Sequence, residues 1–232
     1  GEELLGAKQN RVLNTSIMVP PAVSLNVPVS CTEQGRWSSS SRNFRTSPSI
    51  MPLNSRMNNK RSVDRSLAAD GSFKGDQSAV WDDISVMQQR AGVSSKTNAM
   101  RDVINAKWDS ISDYTEAFQP INRQNGAVFL VDGAITGMEL FSKEEAFKSI
   151  FPKIIGSYAF DHITNRFQTA GNGSETSVEE FLQRLTGSER FTYPSNGEGV
   201  DLRFEGDKVS GSALVCQDEI IHLSAYNLAV AS

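Results

Sequence analysis

The chain is poor in the residues that most often carry metal and redox chemistry, with two cysteines and two histidines among 232 residues. Two cysteines, Cys31 and Cys216, are too few for a disulfide framework. We expect two reduced, partly buried thiols, which suit a cytoplasmic protein, with a single bridge between them as the alternative. C-x-x-C, H-E-x-x-H and EF-hand signatures are also missing from the sequence, which therefore predicts no metal site and names no cofactor.

Long hydrophobic runs are missing as well. No stretch approaches the roughly 18–20 apolar residues that a membrane helix requires, so we expect no membrane partner. The net charge of −4 argues against a general nucleic-acid binder. The chain begins Gly-Glu-Glu without an initiator Met, and we expect it to be truncated or processed at that end.

The basic residues that are present are unevenly placed. The segment from Arg36 to Arg65 carries seven Lys and Arg residues against one acid, which is a charge of +6 and leaves −10 for the rest of the chain. A cationic segment on an acidic body concentrates a positive field at one place. Residues 38–75 are rich in Ser, Asn, Pro and Arg and show no clear period, so we predict a long basic flap.

Alternation of apolar and polar residues over 12–19 and 23–31 predicts two strands, joined by a turn at Pro20-Pro21. A hairpin of this kind would bring the polar residues at its two outer ends together. Helical spacing over 76–120, after a cap at Asp76 or Ser78, predicts an inserted helical hairpin.

The second half of the chain alternates between strand and helix patterns. Gly126 to Phe141 indicates a second β-hairpin, because Asp132-Gly133 is a strong tight-turn signal between apolar runs. Helices are predicted from Ser142 and over 177–186, followed by a three-strand meander at 200–205, 208–216 and 219–226. We therefore predict a single α+β domain over residues 1–232, with antiparallel hairpins, a meander sheet and helices packed on it.

The polar ends of the first hairpin, together with the basic flap, form the predicted ligand site. Arginine offers a planar fork of donors for phosphate, lysine adds a point charge, and an aromatic ring can stack on a base. Glu3 and Glu33 are weak catalytic candidates, because neighbouring cations would keep a carboxylate ionised and suited to act as a base. The predicted ligand-binding residues are Lys8, Gln9, Asn10, Arg11, Asn14, Arg36, Trp37, Arg61 and Arg65.

Each of these signals also has a plainer interpretation. The arginines equally suit a solvated loop that pairs with the acidic body, and the two glutamates equally suit ion pairs. Cys31 falls on the apolar side of its strand, so we predict a core residue rather than a nucleophile. A Ser-His pair of His222 with Ser212 or Ser224 is conceivable, although no G-x-S-x-G elbow accompanies it.

Two N-terminal segments, GAKQNRVLN (residues 6–14) and PVSCTEQGRW (residues 28–37), resemble the ARG and Rhodanese-Phosphatase-superfamily-associated Protein domain, an uncharacterised prokaryotic family. The resemblance extends to KRSVDRSL (60–67), SYAFD (157–161) and GSALVCQDEIIHLSAY (211–226). The family name implies an association with ADP-ribose or phosphate-related enzymes. It transfers no catalytic residue to this chain.

Two main functional hypotheses follow. The first is that the chain binds or processes an anionic, phosphate-bearing nucleotide-like ligand, for which the resemblance implies ADP-ribose or an NAD-related compound. The second is a non-enzymatic interaction module whose basic loop docks an acidic protein partner. Binding of single-stranded nucleic acid is a third hypothesis, and it predicts an affinity that falls steeply with salt.

Overall fold

The computed structural model of the protein describes residues 1–36, 38, 41–164 and 177–230, which form six helices and two antiparallel sheets of four and six strands. This confirms the predicted α+β class. The chain divides into two compact units. Unit 1 comprises residues 1–15, 26–119 and 152–166, and unit 2 comprises residues 16–25, 120–151 and 167–232. The organisation as a single domain stays a prediction.

The sheet of unit 1 has the strand order β3–β2–β1–β4. Its strands are β1 (Glu2–Leu5), β2 (Arg11–Leu13), β3 (Val29–Cys31) and β4 (Arg45–Ile50). The predicted pairing of the first hairpin is confirmed, since β2 and β3 are antiparallel with Val12 opposite Ser30. The strands are shorter than predicted, because the chain leaves the sheet between residues 14 and 28, where three prolines remove backbone donors.

A helix replaces most of the predicted basic flap over 38–75, and the loop prediction is wrong there. The 18-residue helix α1 (Leu53–Asp70) follows Pro52 and ends at Gly71, which has the left-handed φ of 72° typical of a helix C-terminus. Its buried side is half polar, so the apolar residues alone do not show a clear helical period. The buried residues are Leu53, Asn54, Ser55, Met57, Asn59, Lys60, Ser62, Val63 and Leu67.

Three further helices complete the core of unit 1. Helix α2 (Gln77–Ala91) begins at the predicted cap, where the Asp76 carboxylate accepts hydrogen bonds from two backbone N–H groups. The second predicted helix is divided at Lys107 into α3 (Met100–Ala106) and α4 (Trp108–Ala117). Their apolar faces pack against Val12 of the sheet and against Met51, which precedes α1. The core comprises Val12, Met51, Val80, Ile84, Met87, Ala91, Met100, Val103, Ile104, Ile111 and Phe160.

The sheet of unit 2 has the order β5–β6–β10–β9–β8–β7. Its strands are β5 (Gly126–Val131), β6 (Ala134–Phe141), β7 (Glu189–Pro194), β8 (Val200–Glu205), β9 (Val209–Cys216) and β10 (Glu219–Asn227). The second hairpin is confirmed, with positive φ at both Asp132 and Gly133. The predicted meander is also confirmed, whereas β7 was missed because it is a largely exposed edge strand.

Two helices accompany this sheet in the chain. Helix α5 (Glu144–Ile163) continues through Pro152, and its residues from Pro152 onward belong to unit 1. Helix α6 (Val178–Thr186) starts with a capping box formed by Ser177 and Glu180 and packs its apolar side on the sheet of unit 2. None of the helices in the described ranges is long and apolar enough to cross a bilayer.

Candidate functional site

Glu3 lies in the middle of the unit 1 sheet, on β1 between β2 and β4, and its side chain is fully buried. The hydroxyl of Ser47 on β4 donates to its Oε2 at 2.7 Å. Nη1 of Arg101 lies 3.5 Å from the same oxygen. Oε1 has no hydrogen-bond partner among the residues that the structure describes. A buried acceptor without a donor is costly, and an internal water would satisfy this oxygen.

Arg101 approaches Glu3 from the first turn of α3. Its Nη1 donates to Ser47 Oγ at 2.7 Å, so the hydroxyl links the guanidinium to the carboxylate. Within the described ranges these are the polar contacts of the guanidinium, and its side chain is 24% exposed. Nε and Nη2 have no polar partner among the described residues.

Glu33 is the second buried carboxylate of this region. Residues 32–35 lie beside 97–100, with backbone hydrogen bonds from Gly35 N to Thr97 O and from Met100 N to Thr32 O. The Thr97 hydroxyl also donates to Glu33 Oε1 at 3.1 Å. This pairing holds Glu33 next to the start of α3, and therefore near Arg101 and Glu3.

Arg36 is the cation that neutralises Glu33. Its Nη2 and Nε lie 2.7 and 2.8 Å from Glu33 Oε2. Nη1 donates to the carbonyl of Ala7 at 2.9 Å, and Nη2 donates to Asn10 Oδ1 at 3.1 Å. Arg36 thus joins the two polar ends of the first hairpin, as predicted, but all three guanidinium nitrogens are used inside the protein. Arg36 therefore has a structural role, and its donors are already used by Glu33, Ala7 and Asn10.

The surroundings of Glu3 shift its pKa. Burial raises the pKa of Glu3, the hydrogen bond from Ser47 and the charge of Arg101 oppose that rise, and the negative charge of Glu33 adds to it. A carboxyl with a raised pKa exchanges its proton more readily near neutral pH than an ordinary glutamate. Glu3 is therefore an acid-base candidate.

Replacing Glu3 with Gln should change how stability depends on pH. A carboxyl whose pKa is raised on folding holds its proton more tightly in the folded state, so its destabilising effect appears as the pH rises above the unfolded value of 4.5. The unfolding free energy of Glu3→Gln minus that of the wild type should therefore increase with pH, by at most about 1.4 kcal/mol per pH unit, and level off above the folded pKa. Urea unfolding at several pH values measures this difference.

The matched control is Glu116→Gln, because Glu116 is exposed on α4. Because the side chain is exposed, its replacement should change stability by less than about 0.5 kcal/mol. A Glu3→Gln difference that falls or stays flat as the pH rises would contradict the raised pKa.

The other predicted ligand residues do not gather in one place. Lys8 is exposed, and Arg61 and Arg65 are exposed on α1. The Arg11 guanidinium lies 5.8 Å from the centroid of the Phe44 ring. Trp37 lies outside the described residues. The structure thus assembles Glu3, Asn10, Glu33 and Arg36 from the predicted set and adds Ser47, Thr97 and Arg101, which carry no distinguishing sequence signal.

Asn14 and Gln9 have internal partners. The Asn14 amide donates to the carbonyl of Phe73 at 3.0 Å, and its oxygen accepts from Ser30 Oγ at 2.8 Å. The Gln9 amide donates to the carbonyl of Gln34 at 3.3 Å. Both residues are buried, so these contacts give them structural roles in the present conformation.

Cys31 is a partly buried free thiol, as expected, but the prediction that it lies on the core side of its strand is wrong. Ser30 is the buried residue of β3, and Cys31 is only partly buried. The reversal arises because β3 begins only at Val29, after the chain has left and rejoined the sheet, so the parity of the longer predicted strand does not carry over. Cys31 and Cys216 are both free thiols. Within the described residues, no group of three or more His, Cys, Asp and Glu side chains is placed to hold a metal ion.

The family model of the ARG and Rhodanese-Phosphatase-superfamily-associated Protein domain matches residues 1–226. The chain belongs to this family. No curated protein and no solved structure matches it. The match spans nearly the whole chain, and it includes the segments that form the Glu3 and Glu33 region of this family member.

Later motifs of the family resemblance have structural roles in this member. In SYAFD, the Ser157 hydroxyl donates to the carbonyl of Met51 at 3.0 Å, and Asp161 accepts from the backbone N–H of Asn54 at 2.8 Å. In KRSVDRSL, Lys60 and Asp64 form an ion pair at 2.8 Å, one turn apart on α1. The SYAFD contacts therefore connect α5 to the start of α1, and the ion pair lies within α1 itself.

Proposed function

We propose that unit 1 binds an anionic, phosphate-bearing nucleotide-like ligand at Arg101. The observation that carries the proposal is the partly exposed guanidinium of Arg101, which Ser47 holds next to the fully buried carboxylate of Glu3. Its Nε and Nη2 have no polar partner in the described ranges. A guanidinium in this position matches phosphate geometry, since two adjacent N–H groups can bind two oxygens. ADP-ribose and NAD-related compounds are the first ligands to test, because the family name implies an association with ADP-ribose or phosphate-related enzymes.

The raised pKa of Glu3 supports anion binding at this place. An ionised carboxylate beneath Arg101 would repel an incoming phosphate, whereas a protonated one would not. When a phosphate occupies Arg101, its negative charge favours the neutral form of Glu3 further. Proton uptake by Glu3 therefore accompanies binding in this proposal.

The sugar of a nucleotide-like ligand would lie near polar groups around Arg101. Glu3 Oε1, which is buried and has no donor partner in the described part of the chain, would accept a hydrogen bond from a water that bridges it to a sugar hydroxyl. An acidic side chain in contact with a ribose hydroxyl is a recurrent device in nucleotide sites. Processing of the ligand, with Glu3 as acid or Glu33 as base, and a cytoplasmic location belong to the same proposal.

A thermal-shift panel of ADP-ribose, NAD, nucleotides and inorganic phosphate tests the binding function. A ligand present at about 100 times its Kd stabilises the folded state by about 2.7 kcal/mol, which gives a clear rise in Tm. We expect a rise with the phosphate-bearing nucleotides and its loss in Arg101→Gln. Arg61→Gln is the matched control, because Arg61 is exposed on α1, and it should keep the rise.

A panel without any shift, or a shift that Arg101→Gln leaves intact, would contradict the proposal. The exposed pair Arg61 and Arg65, one turn apart on α1, favours the second candidate function, docking of an acidic protein partner. In that case an acidic peptide would bind the wild type and Arg101→Gln equally. The double variant Arg61→Gln/Arg65→Gln would lose the peptide.

A further inference from the structure

Three side chains of unit 2 form a hydrogen-bonded chain of serine, histidine and glutamate. Ser16 Oγ lies 2.6 Å from Nδ1 of His222, and Nε2 of the same ring lies 3.0 Å from Glu139 Oε2. A nucleophile, a base and a group that orients the base are the parts of an activated hydroxyl. All three residues lie in unit 2, so the distances between them are distances within one compact unit.

The ring of His222 is fixed by two neighbouring strands. β6 and β10 pair antiparallel, with His222 opposite Phe141 and Ser224 opposite Glu139. The Phe141 ring stacks on the imidazole, with centroids 4.2 Å apart and planes 21° apart. The Glu139 side chain is 1% exposed and that of His222 is 23% exposed. The acid is therefore shielded from water while the base remains accessible.

Ser16 reaches this ring from the segment Ser16–Leu25, which belongs to unit 2 although it lies early in the chain. The carbonyl of Met18 accepts a hydrogen bond from the backbone N–H of Glu198 at 2.9 Å, and this bond holds the segment two residues from Ser16. Ser212 and Ser224, the serines that the sequence suggested as partners of His222, instead face each other across β9 and β10.

We propose that Ser16 is the nucleophile of an acyl-transfer site, with His222 as general base and Glu139 as a positioning residue. This site goes beyond the ligand binding proposed for unit 1 and does not depend on it. A carboxylate only accepts, so Glu139 assigns the proton of the neutral ring to Nε2 and leaves Nδ1 to accept from the Ser16 hydroxyl.

The substrate class is an uncharged carboxylic ester of a small acyl group. Ser16 Oγ bonds to the carbonyl carbon while its proton passes to Nδ1, and the ester C–O bond then breaks as that proton passes to the leaving alcohol oxygen. Water then gives a proton to Nδ1 while its oxygen bonds to the acyl carbon. The bond from that carbon to Ser16 Oγ breaks as the proton passes from Nδ1 to Oγ, which releases the acid and restores the hydroxyl. Exposed apolar side chains lie close in sequence to both residues, Val19 three residues after Ser16 and Ile220 two residues before His222, and they favour an apolar acyl group.

Labelling of the full chain with a fluorophosphonate probe, followed by peptide mass spectrometry, tests the nucleophile directly. We expect an adduct on Ser16 and hydrolysis of p-nitrophenyl acetate, both abolished in Ser16→Ala. His222→Gln should slow labelling at least about 100-fold, since it removes the general base. Glu139→Gln should cause a similar loss, because its amide can donate to Nε2 and impose the tautomer in which Nδ1 carries the proton.

The control is Ser24→Ala, which removes an exposed hydroxyl from the same segment and should label at the wild-type rate. Thermal unfolding curves show whether each variant is folded. Absence of an adduct on Ser16 in the folded wild type, or labelling that His222→Gln leaves unchanged, would overturn the proposal. The first outcome is measured on the wild type alone, so it does not depend on whether a variant folds.

Discussion

Replacing Arg36 with Met should lower the free energy of unfolding by about 3 kcal/mol, because the buried carboxylate of Glu33 loses its cation. Removing one partner of a buried pair costs more than the pair contributes, since the remaining charge stays out of water. The variant also loses the hydrogen bonds that Arg36 donates to Ala7 and Asn10, which hold the ends of the first hairpin together. Equilibrium urea unfolding measures the loss.

Two comparisons show whether the stranded charge is the cause. Arg61→Met removes an exposed arginine and should change stability by less than about 0.5 kcal/mol. Adding Glu33→Gln to Arg36→Met removes the unpaired charge and should recover part of the loss. A loss below about 1 kcal/mol in Arg36→Met, with no recovery in the double variant, would mean that water already solvates Glu33.

Replacing Asp161 with Ala should also lower the free energy of unfolding by about 3 kcal/mol, because it removes the cap of another helix. Helix α1 follows Pro52, has no side-chain cap of its own and has no acid in its first turn. Asp161 on α5 supplies the missing cap and the missing negative charge. Its Oδ2 accepts from the backbone N–H of Asn54 at 2.8 Å and from the Asn54 side-chain amide at 3.2 Å. Hydrogen bonds to a charged acceptor contribute about 1.5–3 kcal/mol each.

Asp113→Ala is the matched control, since Asp113 is an exposed acid on α4. Its replacement should change stability by less than about 0.5 kcal/mol. Hydrogen exchange adds a local test, because the first turn of α1 should lose protection in Asp161→Ala before the rest of the helix does. Equal stability of the two variants would show that Asp161 does not cap α1.

The sequence predicted the elements whose signals are local. The Asp132-Gly133 turn, the Asp76 cap and the short helix after Ser177 all appear where expected, because turn and cap chemistry is contained within a few residues. Helix α1 was missed because its buried side carries Asn, Ser and Lys residues, whose partners lie elsewhere in the chain. A pattern of apolar residues cannot show a helix that is fixed by polar contacts.

The predictable part of the candidate site is the part that the first hairpin brings together. Asn10, Glu33 and Arg36 meet because the first hairpin closes, and the alternation of residues indicated that closure. Thr97 is 64 residues from its partner Glu33, and Ser16 is 206 residues from His222. Pairings over such separations depend on how the whole unit folds, so no local pattern identifies Arg101 or Ser16 as members of a site.

The most direct measurement of the ligand proposal is an NMR titration that follows the arginine Nε–H signals as ADP-ribose is added. The account predicts a saturable shift of the Arg101 signal, with little change at exposed Arg61. The Arg36 signal should also change little, because its Nε already donates to Glu33 at 2.8 Å. Saturable binding that leaves the Arg101 signal in place, or no binding of any phosphate-bearing nucleotide, would contradict it.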